Sequence, residues 1–225
     1  MSVRFDDTSW EIFRLGEKSV LLTAIGEISR KNVRRLSGAL LKDKPHQFED
    51  LITGYDSIVI RFTAGINNED RIKEHLLRLD PAKVHIPEPV KYEIPVCYEK
   101  GLDWEAVVKI SGISKEEFIA MHSGPEYEVA MLGFLPGFIY LDGLPEELAC
   151  KRRVKPRSQV PEGSVGIGGA HTGMYSLSSP GGWQIIGLSP SKLFNIDEEP
   201  PVRLQAGDRI RFKPITEEEF EKMKP

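Results

Sequence analysis

Residues 163 to 191 read GSVGIGGAHTGMYSLSSPGGWQIIGLSPS, 29 consecutive positions without Asp, Glu, Lys or Arg. In a chain that is 28% charged, this is a large departure. Short apolar runs alternate here with Gly, Pro and Ser turns. The same rhythm extends from about residue 127 to IRFKPI at 210 to 215. That pattern predicts an antiparallel barrel. Directly before the neutral stretch stands KRRVKPR, residues 151 to 157. A basic flank feeding a neutral, hydroxyl-rich sheet suits a small anionic ligand such as a carboxylate.

The glycine-rich centre, GIGGAHTGMY (166 to 175), is not a nucleotide loop. A dinucleotide fingerprint needs GxGxxG between a strand and a helix. Gly166 and Gly168 fit, but His171 holds the third glycine position and no helix is predicted after it. A Walker loop needs GxxxxGK[ST]. Gly168 and Gly173 have that spacing, but Met174 stands where lysine should be.

Outward from the barrel, EPVKYEIP (88 to 95) reads as the passage into a second domain, giving domains 1–88 and 89–225. Two short helices are predicted at 103–111 and 114–122, the second opening on a capping box of Ser114 and Glu117. TEEEFEKMKP reads as a charged terminal helix or tail. The first domain reads strand, strand, helix, strand, helix, strand from residue 10 to 85, a small α+β sandwich of ferredoxin-like style. Its hairpin turns at LGEKS. Its first helix lies within ISRKNVRRLSGALL, with Val33, Leu36 and Leu40 on one face. A buried strand follows at DSIVIRFTAG. The second helix, NNEDRIKEHLLRLDP, points Ile72, Leu76 and Leu77 inward and stops before Pro81.

Composition narrows the function classes. The net charge of -4 argues against a nucleic-acid binder with a global basic surface. No run of about 18 apolar residues occurs, so no membrane span is expected. The first residues, MSVRFDDTSW, lack the apolar core of a signal peptide. Cys97 and Cys150 form no CxxC pair and read as reduced thiols of a cytoplasmic protein, with a disulfide between them the alternative. Asn and Gln are scarce, which leans towards a thermophilic source.

The five histidines supply no HExxH or HxH pair, so no metal site is expected. GxSxG is absent, and no catalytic residue is assigned. Arg157, behind the rigid Pro156, is the strongest ligand candidate, because a guanidinium grips a carboxylate bidentately; a surface charge is the equal alternative. His122 sits where a helix dipole favours a cation, and is either a plain helix-end residue or a ligand contact. Trp183, Tyr127 and Tyr175 are each core or pocket residues.

The motifs HxxPxY (His122, Pro125, Tyr127), GFxPGF (Gly133 to Phe138), Pro156-Arg157, Gly168-Gly169, TGxY (Thr172, Gly173, Tyr175) and PGGW (Pro180 to Trp183) together resemble the allophanate hydrolase subunit 1 family. That family includes the B-type subunit of 5-oxoprolinase and the sporulation-kinase inhibitor of bacilli. The resemblance covers roughly residues 10 to 215. It implies a small α/β domain followed by a cyclophilin-like β-barrel of carboxyltransferase type. It implies ATP-dependent opening of 5-oxo-L-proline to L-glutamate, with subunits A and C as partners and ATP bound largely on them. It implies a small carboxylate or lactam ligand for Arg157, with His122, Tyr127, Thr172, Tyr175, Trp183 and Gln184 as lining residues. Backbone N–H groups around Gly168, Gly169 and Gly181 would stabilise an oxyanion. The alternatives are a regulator that docks on a histidine kinase and an allophanate hydrolase or urea carboxylase-type subunit. Prolyl isomerase activity, by analogy with cyclophilins, rests on fold alone. Two departures stand out: His171 where the family often has Gln, and Leu188-Ser189 where it often has Arg-Thr.

Overall fold

The computed structural model describes residues 2–26, 30–66 and 70–224. The chain divides into two compact units, Met1–Glu88 and Pro89–Pro225. Among the described residues no helix is long and apolar enough to cross a membrane.

In the first unit, β1 (Ser2–Phe5), β2 (Thr8–Arg14), β3 (Ser19–Ile25), α1 (Arg30–Lys42), β4 (Phe48–Thr53), β5 (Ser57–Phe62) and α2 (Asp70–Arg78) follow in turn. The sheet runs β1-β2-β3-β5-β4, antiparallel throughout. Strand alternation puts Trp10, Ile12, Val20, Leu22, Ile58 and Ile60 on one face, where they share a core with Val33, Leu36 and Leu40 of α1 and Ile72 and Leu76 of α2. Gly16, at φ +75°, makes the β2–β3 turn.

Several expectations for this unit change. The strand expected after α2 does not form: Pro81–Lys83 turn as a short 3-10 helix capped by Asp80, and beyond it Pro87 and Pro89 remove the donors a ladder needs. Its place beside β3 is taken by β2, so only the three strands β3-β5-β4 of a ferredoxin-like arrangement are kept. The edge strands β1 and β4 join the sheet unannounced. Leu77 is 59% exposed, turned away from the Ile72 and Leu76 face. The expected starts of both helices, at 28–29 and 67–69, lie outside the described residues.

The second unit is mainly β. It contains β6 (Lys91–Val96), α3 (Trp104–Ser111), α4 (Lys115–Ser123), β7 (Tyr127–Leu132), β8 (Ile139–Asp142), β9 (Arg157–Val160), β10 (Ser164–Gly168), β11 (His171–Met174), β12 (Ser179–Gly181), β13 (Gln184–Leu188), β14 (Arg209–Pro214) and α5 (Glu217–Met223). Seven strands form one sheet, β13-β10-β11-β8-β7-β14-β6, antiparallel except for the β14–β6 pair. Its two edges meet at Cys97 and Leu188, which exchange two backbone hydrogen bonds of 2.9 and 3.0 Å. The sheet is thereby nearly closed into a barrel. Val129, Ile139, Leu141, Val165, Ile167, Met174, Ile186, Ile210 and Phe212 share its core. β9 and β12 pair as a separate small ribbon.

The helix ends follow their sequence signals in part. Ser114 accepts from the Glu117 N–H at 3.3 Å. A full reciprocal capping box forms instead at Thr216 and Glu219, which start α5. Phe220, buried, holds that helix down.

Candidate functional site

The expected site residues fall into two groups on opposite faces of the barrel sheet. Strand alternation does the sorting. Val165, Ile167, Ile139, Leu141 and Met174 enter the core, so Gly166, Gly168, Tyr140 and Gly173 lie on the other face.

The inward group is a closed hydrogen-bond relay. The Tyr98 hydroxyl meets His122 Nδ1 at 2.7 Å, and His122 Nε2 meets Thr172 Oγ1 at 2.8 Å. Thr172 donates to the Gly166 carbonyl at 3.2 Å. The threonine hydrogen is therefore spent, and the hydroxyl oxygen accepts from His122 Nε2–H. Nδ1 then accepts from Tyr98, a single consistent neutral tautomer. The Tyr127 hydroxyl donates to the His122 carbonyl at 2.6 Å. Phe212 stacks on the imidazole with ring centroids 4.9 Å apart. Burial pushes the His122 pKa down to about 3 and raises those of Tyr98 and Tyr127. Desolvation thus overrides the helix-end preference for a cation.

The outward group centres on Trp183. Its indole lies across a floor of glycines. A Cβ placed on Gly168 would stand 2.5 Å from the ring atoms Cε2 and Nε1, and one on Gly173 would stand 3.1 Å from Cζ3. Phe138, Tyr175, Ile185 and Val160 close a second, small apolar cluster around it, with Tyr140 at the edge. Gly181 is held against Tyr175, where a side chain would strike the hydroxyl. Burial raises the Tyr175 pKa, so the phenol stays protonated. Gly168, Gly173 and Gly181 are required by close packing, whereas Gly169, at φ +72° in the β10–β11 turn, is required by backbone conformation. Phe134, in the GFLPGF loop, also has positive φ (71°), and 61% of it is exposed.

Cations surround this cluster. Both terminal nitrogens of Arg157 donate to Asp103, at 2.7 and 2.8 Å. Arg153 donates to the same carboxylate, and the Ile185 N–H adds a bond of 2.7 Å. The Asp103 side chain is 2% exposed. Burial alone would raise its pKa. The hydrogen bonds from Arg157 and Ile185 N–H, with the charges of both arginines, reverse this and hold it below the usual carboxylate range. Arg152 is exposed, its guanidinium 5.9 Å from the Trp183 ring centre. Gln184 donates from Nε2 to the Lys151 carbonyl at 3.0 Å, while its Oε1 is buried without a partner among the described residues. His171 Nδ1 lies 3.5 Å from Asp142 Oδ1. Both cysteines are buried free thiols, and no cluster of metal-ligating side chains occurs among the described residues.

The sequence brings Gly168, Tyr175 and Trp183 together as expected of neighbours on a sheet, and sends His122, Tyr127 and Thr172 to the opposite face. Sequence reasoning missed Asp103, Arg152, Arg153 and Tyr140. The signal was present in KRRVKPR, a basic run that needs a counter-charge once part of it is buried. Asp103 resembles a helix N-cap in sequence but makes no capping bond.

Residues 10–204 match the carboxyltransferase domain, subdomain C and D. The chain belongs to that family. Within it, this carboxyltransferase-domain protein is 50% identical over 130 residues to the 5-oxoprolinase B-type subunit of Bacillus subtilis, covering 57% of this chain and 54% of that protein. It spans little more than half the length of that relative. It is 38% identical over 214 residues to the 5-oxoprolinase B-type subunit of Escherichia coli O157:H7, covering 91% and 96% of the two chains. The crystal structure of Kluyveromyces lactis urea carboxylase shares the fold, with a TM-score of 0.78, 18% identity, and coverage of 99% of this chain and 23% of that one. The motif resemblance therefore holds at the family level.

Proposed function

We propose that this chain is the B-type subunit of an ATP-dependent 5-oxoprolinase, opening 5-oxo-L-proline to L-glutamate in a cytoplasmic complex with subunits A and C. The single observation that carries the reading is the 38% identity to the Escherichia coli B-type subunit over nearly the full length of both chains. The nearly closed sheet supports a cyclophilin-like barrel for the second unit.

The lactam amide is stabilised by resonance, and phosphorylating its carbonyl oxygen makes the carbon electrophilic. The sequence carries no phosphate-loop motif, so ATP is assigned largely to the partner subunits. Its own part is to bind and orient. Because Asp103 occupies the fork of Arg157, the carboxylate anchor passes to the exposed Arg152 beside Trp183. Arg157 and Arg153 become the frame that holds the strap 150–157. Gln184, in register with core-facing Ile167, holds the strap through its bond to the Lys151 carbonyl and is not assigned to the ligand. His122, Tyr127 and Thr172 keep the barrel wall rigid behind the glycine floor. Purified subunits A and C supplied with ATP and 5-oxoproline should form glutamate only when this chain is added. Equal turnover without it would sink the reading.

A second reading, a regulator that docks on a histidine kinase, draws on the exposed Phe134 and the fully exposed Val154. Pull-down from native lysate separates the two: subunits A and C recovered together support the enzyme, a kinase supports the regulator.

A further inference from the structure

The first unit carries a cleft of about 470 Å³ on the side of α2, remote in sequence from every residue assigned above. Its floor is apolar, made by Phe62, Ile66 and Ile72, all buried. Its rim carries two arginines and two histidines. Arg71, His75 and Arg78 stand at i, i+4 and i+7 on α2, one helical face, and His46 faces them from the loop before β4. Glu74 is the sole carboxylate among the described lining residues. Neither Arg71 nor Arg78 makes an ion pair or hydrogen bond among the described residues, whereas Arg35, Arg61, Arg153, Arg157, Arg203 and Arg209 all pair with carboxylates. In an acidic chain, two guanidiniums without a partner among the described residues line a cavity whose size suits a small molecule. His75 is already oriented, its Nε2 2.8 Å from the Asp43 carbonyl.

We propose that this cleft binds a small organic carboxylate. The guanidiniums supply the planar donors that a carboxylate matches, and the floor takes a flat apolar body. An apolar floor sets this ligand class apart from inorganic anions, which gain nothing from Phe62 and Ile72. The site is independent of the 5-oxoprolinase reading, since every residue of that reading lies in the second unit.

The test is ¹⁹F NMR of 4-fluorobenzoate titrated with the full chain. We expect saturable binding that weakens at least tenfold in the double variant Arg71→Gln/Arg78→Gln. Both arginines are exposed, so the variant should fold, as circular dichroism will check. Glu74→Gln should tighten binding about threefold by removing the opposing charge. Arg152→Ala should leave it unchanged, which separates this cleft from the Trp183 face. Uncharged 4-fluorobenzyl alcohol should not bind. The proposal is overturned by absence of saturable binding, by undiminished binding in the double variant, by comparable binding of the alcohol, or by inorganic phosphate displacing the probe with equal affinity.

Discussion

The indole of Trp183 rests directly on Gly168, so close that a Cβ there would sit 2.5 Å from two ring atoms. Gly168→Ala must therefore push the ring off its floor or bend β10. We expect a loss of about 1–3 kcal/mol, the usual cost of overpacking, with a changed tryptophan emission and reduced activity of the complex. Urea unfolding and fluorescence at neutral pH check this. Wild-type stability and spectrum would refute the packing role of the glycine.

His122 makes stability depend on acidity. Its ordinary pKa is 6.5 and its folded value about 3. Below pH 6.5 the unfolded chain takes up a proton that the folded chain refuses. Stability from this group is complete above pH 6.5 and falls by roughly 1.4 kcal/mol per pH unit between 6.5 and 3. Urea unfolding at pH 7.5, 5.5 and 4.5 should show the slope. His122→Gln should flatten it while lowering stability at pH 7.5, and an unaltered slope in that variant would show that other groups cause it.

Asp103 is the counter-charge for two arginines. Asp103→Ala leaves both uncompensated beside the Trp183 cluster. We expect a cost of about 3 kcal/mol, typical of breaking a buried pair from one side. Thermal unfolding checks it. A change below about 0.5 kcal/mol would mean the cluster is solvated and structurally idle.

Arg152 should behave in the opposite way. It is exposed, and its guanidinium stands over the Trp183 ring. Arg152→Ala should leave stability within about 0.5 kcal/mol. In the reconstituted complex, KM for 5-oxoproline should rise roughly tenfold, the loss of one charge-assisted contact. An unchanged KM would remove Arg152 as the carboxylate anchor.

Phe134 combines left-handed backbone with an exposed ring. Such conformations cost of order 1 kcal/mol in non-glycine residues. Phe134→Gly should therefore stabilise the isolated chain by about that amount and weaken recovery of its partners. Size-exclusion chromatography of the mixed subunits, with thermal unfolding of the chain alone, reads both effects.

The barrel was legible in the sequence because residues 163 to 191 shed all charge and alternate apolar runs with turns. The inward and outward sorting of His122 and Trp183 was not, because it depends on strand register, and a shift of one residue exchanges the faces. Edge strand β4, FEDLIT, buries neither face cleanly and so has no alternation to read. Leu77 was misplaced because α2 has only a narrow apolar stripe, and a residue one step from Leu76 is turned about 100° away. The pairing of Arg157 with Asp103 was not legible, because Asp103 lies 54 positions earlier and no local pattern links them.

The two free cysteines report on the mechanics of the barrel. Cys97 sits on the two-bond bridge to Leu188, where the sheet edges join, and Cys150 sits on the bridge to Gly169, which pins the basic strap. Each thiol is buried, and so meets a reagent only when its own bridge lets go. Alkylation at Cys97 then clocks the unfastening of the closure, while alkylation at Cys150 clocks the lifting of the strap. One labelling time course on the unmodified protein resolves two separate breathing motions, and a partner that clamps either place will silence its cysteine.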